Sequence, residues 1–351
     1  MNIEYPFWAW VTFFASVLIA LFVDLGIANR RSHAPTRRET FIWSAVWISL
    51  ALSFNVFVYW VVSTTYDSAK GLLKAKEFLT GYLIELSLSV DNLFVFLLIF
   101  GYFKVPKKYQ HRVLFWGIMG ALVMRMIMIF TGAELVERFH WILYIFGAFL
   151  IWTGIKMFSD NEEGFNPEES RMVSFITRYV RISKHYDENN FLIKVDGKTT
   201  GTLLLLVLII VELSDLMFAV DSIPAIFGIT TDKFIVYTSN IFAILGLRTF
   251  FFLLADLADR FHLLKFGLAF ILSFIGVKML LPLMAEGLIM VLGHNTDSAF
   301  SSFLQRFINH EFNQEFINIS LGVVVSALVL SIVLSLLFPK ANEESDEAPS
   351  E

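Results

Sequence analysis

Long apolar runs alternate with short polar stretches through most of this chain, and the length of those runs is the first constraint on its fold. Crossing a hydrocarbon core of roughly 30 Å takes about 20 helical residues. Nine runs come close to that length: Trp8 to Ala28, Phe41 to Ser63, Phe78 to Phe103, Val113 to Thr131, Phe139 to Phe158, Thr202 to Phe227, Phe234 to Leu254, Leu263 to Leu283 and Phe316 to Phe338. Lipid offers backbone N–H and C=O groups no partners, so such runs satisfy themselves as helices. The pattern predicts an all-α polytopic membrane protein with about nine transmembrane helices. The first run is not expected to be a cleaved leader, because Glu4 and no Lys or Arg precede it and it is too long for a signal peptide's apolar stretch.

The polar stretches divide the chain further. Residues 1–77 hold two N-terminal spans, 78–158 three more, and 159–201 a cytoplasmic connector that mixes acids with Arg171, Arg178, Arg181 and Lys184. Within the connector, Phe191 to Val195 leads into Asp196-Gly197, the pattern of a hairpin turn, although one short hairpin is marginal alone. Residues 202–284 hold the next three spans, 285–315 an extracytoplasmic segment, 316–338 the ninth span and 339–351 an acidic tail expected to be disordered. In 285–315, Phe300, Phe303, Leu304, Phe307 and Ile308 fall at helical spacing, which fits either a helix lying on the outer membrane surface or a packed loop.

Composition agrees with a membrane setting: 56% of the 351 residues are hydrophobic and mean hydropathy is +0.66, beyond what a soluble core needs. The formal net charge of -5 comes largely from Glu343, Glu344, Asp346, Glu347 and Glu351, and it argues against nucleic acid as a partner. The expected partners are the bilayer and a small cation; no protein partner is indicated. Basic residues cluster after span one (Arg30, Arg31, Arg37, Arg38) and after span three (Lys104, Lys107, Lys108, Arg112), which the positive-inside rule places in the cytoplasm. Loops after spans four, six and eight carry only Arg138, Lys233 and Arg306, whereas Lys70, Lys74 and Lys76 after span two fit the rule least well. The expected orientation has the N-terminus outside and the tail inside.

Two membrane stretches look like copies: Leu83 to Phe96 reads LIELSLSVDNLFVF, and Ile209 to Pro224 reads IIVELSDLMFAVDSIP. Glu85 aligns with Asp215 and Asp91 with Asp221. The match continues through Arg125 with Arg248, Glu137-Arg138-Phe139-His140 with Asp259-Arg260-Phe261-His262, and Gly154-Ile155-Lys156-Met157 with Gly276-Val277-Lys278-Met279. Each copy holds three spans, 3–5 and 6–8, so the second enters the bilayer from the opposite side. That is an inverted repeat, the plan on which many transporters build alternating gates around a midplane site.

The copies concentrate acids where lipid penalises them, at about 2.5 to 3.5 kcal/mol for an ionised Asp mid-span. Glu85, Ser89 and Asn92 share one helical face with Asp91 offset; Glu212, Asp215 and Ser222 share another with Asp221 offset. Pro224 is expected to break or kink its helix just after Asp221 and free carbonyls for a cation. With no Cys and no His near the middle of a span, the available donors are carboxylate, hydroxyl, amide and carbonyl oxygens with Met217, a set suited to Mn2+, Ca2+ or Mg2+. Arg125 and Arg248 either neutralise the empty carboxylates or lock helices together. Asp24, near the cytoplasmic end of span one, is either a metal entry point or a snorkelling charge. Ser89 and Ser222 either ligate or permit close helix packing.

The stretches FLTGYLIELSLSVDNLFVF, MIFTGAELVERFHWILYIFGAFLIWTGIKM, VELSDLMFAVDSIPAIFGITTD and SNIFAILGLR resemble the TerC family, and within it the Alx-type manganese exporters. The resemblance runs from about span one to Leu283, and 285–315 looks longer than is usual in the family. It implies a metal-ion exporter of the bacterial inner membrane, with Mn2+ as transported substrate and no tightly bound cofactor. Carried over motif by motif, it implies Glu85, Asp91 and Asn92 in the first copy and Glu212, Asp215 and Asp221 in the second as the metal path. No catalytic residue is expected on this reading. An intramembrane aspartyl protease using Asp91 and Asp221, and a scaffold that hands metal to exported enzymes, are the competing expectations.

Overall fold

A computed structural model describes residues 3–26, 36–159, 181–183, 186–187, 190–195, 198–255, 263–292 and 313–338. Helices dominate them: α1 (Phe7–Gly26), α2 (Arg37–Thr65), α3 (Ser68–Tyr102), α4 (Lys107–Arg138), α5 (Ile142–Ser159), α6 (Leu203–Phe227), α7 (Lys233–Leu245), α8 (Leu247–Ala255), α9 (Leu264–Leu292) and α10 (Asn313–Leu337). Five of them are long and apolar enough to cross a membrane, and α1, α5 and α7 are shorter apolar helices. The chain is therefore an all-α polytopic membrane protein. Its outer faces are apolar, as lipid requires: Phe22, Val56, Leu330 and Leu337 are among the large exposed side chains.

Several boundaries differ from expectation, each for a local reason. No loop separates α2 from the membrane part of α3. Asp67 caps α3 through the Lys70 backbone N–H at 2.8 Å, so Lys70, Lys74 and Lys76 lie in its first turns. The run expected as Phe234 to Leu254 is two helices, α7 and α8, divided at Gly246. Pro224 does not break α6, which continues to Phe227; what the ring removes is the one N–H that would have donated to the Val220 carbonyl. Likewise α9 passes through Pro282 to Leu292, so the first part of the segment expected as extracytoplasmic is helical. The amphipathic stretch around Phe303 and the acidic tail lie outside the described residues.

The expected hairpin forms: β1 (Leu192–Val195) pairs antiparallel with β2 (Lys198–Gly201), Val195 opposite Lys198. It is not alone. Gly201 exchanges backbone hydrogen bonds with Arg181 and Ser183, and the Tyr186 hydroxyl donates to the Phe103 carbonyl at 2.7 Å, fixing the connector to the end of α3.

Helix directions follow from close contacts at small residues. On α4 and α6, Gly117 lies near Val211 and Gly132 near Ile223 and Phe227, so these helices run parallel. Helices α3 and α6 run antiparallel, since Gly81 meets Ile226 and Glu77 bonds Thr230. Helices α5 and α9 also cross antiparallel, backbone on backbone. A Cβ on Gly276 would meet the Gly147 carbonyl at 2.6 Å and the Ile151 nitrogen at 2.9 Å; one on Gly154 would meet the Ala269 carbonyl at 2.7 Å and the Ser273 nitrogen at 3.1 Å. The offset that carries Gly154 onto Gly276 carries Gly147 onto Ala269 and Ile151 onto Ser273, so the two halves of this crossing are equivalents of one another. Small residues allow such approach in lipid, where packing holds helices together.

Candidate functional site

Arg125 of α4 is fully buried, and its guanidinium stands between α3 and α6. From α3, Glu85 forms an ion pair with Nη1. From α6, Asp215 lies opposite the guanidinium fork, with Nη2 to Oδ1 at 3.3 Å and Nε to Oδ2 at 3.4 Å. Nη1 also donates to Ser222 Oγ at 3.4 Å, and Ser89 Oγ donates to Glu85 Oε1 at 3.1 Å. The heptad spacing of Asp215 and Ser222 puts both on the α6 face toward α4, and the four-residue spacing of Ser89 and Glu85 does the same on α3. A buried guanidinium stays charged and needs planar, bidentate acceptors, which two carboxylates supply.

The other expected site residues are distributed around this hub. Asn92 is buried on α3, two turns beyond Glu85. Glu212 is half-buried and packs its carboxylate against Gly120 of α4, the place a Cβ would fill; the Asp215 charge acts on it. Asp221 is turned to α5, where Thr153 Oγ1 donates to it at 3.3 Å. Met217 points away, 62% exposed on the apolar surface. Asp91 and Arg248 lie in α3 and α8 and Asp24 in α1, but their side chains are outside those described. Among the described residues no three acidic or histidine side chains converge as a ready metal site. The expected face-to-face acids are instead held apart by Arg125, which supplies the positive charge.

A second polar network went unread in the sequence because its charges fall where a loop was expected. Lys74 and Glu77 of α3 are buried and paired at 2.8 Å. Lys74 also reaches Asp232 at 3.0 Å, and Thr230 Oγ1 donates to Glu77 at 2.6 Å. Asp232 caps α7 through the Phe234 and Ile235 N–H groups and accepts from the Tyr5 hydroxyl at 3.1 Å. Burial and the Asp232 carboxylate push the Tyr5 phenol well up, so it remains a donor. The readable signal was Thr-Thr-Asp directly before the apolar run of α7, a capping pattern.

Comparison with known proteins places this architecture. Residues 71–343 match the integral membrane protein TerC family. The chain belongs to the TerC family. The match starts later than expected, at α3, and extends beyond Leu283, so 285–315 lies inside the TerC region. Among relatives, a putative membrane-bound redox modulator Alx of Shigella flexneri is 51% identical over 273 residues, 78% of this chain and 85% of its own length. An uncharacterized membrane protein of Myxococcus xanthus is 48% identical over 270 residues, 77% and 82% of the two chains. One from Rickettsia bellii is 39% identical over 270 residues, 77% and 87%. No solved structure matches. The Arg125 hub and, apart from Tyr5, the Lys74 network lie within the TerC region.

Proposed function

We propose that this TerC protein is a divalent metal-ion efflux carrier that exports Mn2+ from the cytoplasm by alternating access, and that it is not an enzyme. One observation carries the reading: a fixed cation, the Arg125 guanidinium, is held between carboxylates on the leading helices of the two copies. A group of oxygen donors that holds one cation in the bilayer interior can hold another. A divalent ion entering from the cytoplasm would draw Glu85 and Asp215 off the guanidinium, with Glu212, Asn92 and the serine hydroxyls of the same helices as the further oxygen donors. In this reading Asp91 and Asp221 also belong to the metal path. Carboxylates freed of metal then take up protons, which supplies counterflow for the return step.

The inverted repeat belongs to the same proposal. Antiparallel α3 and α6, antiparallel α5 and α9, and the matched glycine contacts of the latter support two equivalent units of opposite direction that rock about the hub. Nine membrane crossings, an outside N-terminus and an inner-membrane location are part of the same proposal; the apolar run lengths support the first and the loop charges the second. The choice of Mn2+ over Ca2+ rests on the resemblance alone, since both accept oxygen ligands. The Shigella relative's name speaks of redox modulation; this chain has no Cys and so no thiol to exchange. Uptake of several divalent ions into liposomes holding only the purified protein, with and without a pH gradient, tests substrate and coupling together. Binding without uptake would favour a metal-handing scaffold.

A further inference from the structure

The Lys74 network differs from ordinary helix-end polarity in what it joins. Lys74 and Glu77 belong to α3; Thr230 and Asp232 belong to the connection between α6 and α7, so two of its bonds cross from one three-helix unit to the other. Tyr5 adds the segment before α1. The network is closed to water despite its place near helix ends: the side chains of Lys74, Glu77 and Asp232 are 10%, 7% and 8% exposed. Helix α3 is continuous from Ser68 to Tyr102, so Glu77 and Glu85 ride on one rigid rod about 12 Å apart.

The geometry points to this network as the extracytoplasmic gate of the carrier, a latch between the two units that must part before an ion leaves the Arg125 hub outward. The inference rests on the efflux reading and on the orientation given by the loop charges. Buried charge pairs suit a latch because they have two stable arrangements and little between: fully paired and dry, or separated and hydrated. In the paired form Glu77 Oε2 accepts from Lys74 and Thr230, and Asp232 accepts from Lys74, Tyr5 and two backbone N–H groups. Once Lys74 withdraws, Glu77 and Asp232 would face the opening, where an acidic mouth favours a departing cation over an anion.

The absence of Cys makes a single introduced thiol an unambiguous reporter. Ile229, 7% exposed and next to Thr230, is the reporter; Ser320, fully buried on α10, is the control. A membrane-impermeant maleimide added from outside should label I229C about tenfold faster in a K74M background than without it, with S320C unchanged and K74R restoring slow labelling. If K74M does not assemble, T230V, which removes the hydroxyl that donates to Glu77 and accepts from the Asp232 N–H but leaves every charge in place, serves with the same expectation. Equal I229C rates in both backgrounds, or a rise at S320C as well, would overturn the gate. Ion flux by the unmodified chain is scored separately: flux with unchanged labelling sinks the gate alone, and faster labelling without flux sinks the efflux reading alone.

Discussion

Arg125 Nη2 and Asp215 Oδ1 lie 3.3 Å apart with less than a tenth of either side chain exposed, and Glu85 closes on the same guanidinium from the opposite helix. Removing one member of a buried ion pair leaves charge without a partner, at about 3–5 kcal/mol. R125M should therefore lower stability by that order, read as thermal unfolding in detergent. Adding E85Q to R125M should recover part of the loss, since one uncompensated acid is then gone. R125K should fall between them, keeping the charge but losing the planar fork.

At the crossing of α5 and α9, an added methyl has nowhere to go. G154A and G276A each drive a Cβ onto a carbonyl oxygen at 2.7 and 2.6 Å, so each should cost about 1–3 kcal/mol of stability, and by similar amounts because the contacts are equivalents. G287A, with nothing within 4 Å on the same helix, should be neutral or stabilising by up to about 1 kcal/mol. Unfolding temperatures of the three variants measure this directly.

G120A separates fold from function. Its Cβ would displace the Glu212 carboxylate, the far end of a flexible side chain, so stability should change by less than about 1 kcal/mol while Mn2+ transport falls. A normal transport rate at normal protein level would take Glu212 off the ion path.

Asp221 keeps company with Thr153 and not with Arg125, and the two partners should part in their effects. Cells expressing D221N should hold more manganese than cells expressing the unmodified chain at equal protein level. T153V, which removes one hydroxyl donor but no charge, should shift cellular manganese far less. Measured metal content of the two strains decides between a path residue and a packing residue.

Much of this was legible in the sequence because lipid simplifies the reading. Apolar run length alone located the helices, and the seven- and four-residue spacings put Asp215 with Ser222, and Glu85 with Ser89, on single faces, leaving Asp221 offset; that it turns to α5 is seen only in the structure. What was not legible was relative placement. The sequence matched Arg125 to Arg248 without revealing that Arg125 sits between the two acids, because that depends on α4 packing parallel to α6. The Lys74 network was missed because a local reading treats a run of lysines as a loop, whereas here each charge finds a partner 150 residues or more away in sequence.

On the efflux reading, the place now filled by the Arg125 guanidinium is the one a divalent cation takes in transit. Mn2+ flux into liposomes containing the purified chain, compared with E85Q at equal reconstituted amount, tests it most directly, since E85Q leaves the Arg125–Asp215 pair in place. Saturable flux in the unmodified protein and its loss in E85Q is the predicted result; no flux above protein-free liposomes, or equal flux in the two proteins, would contradict it.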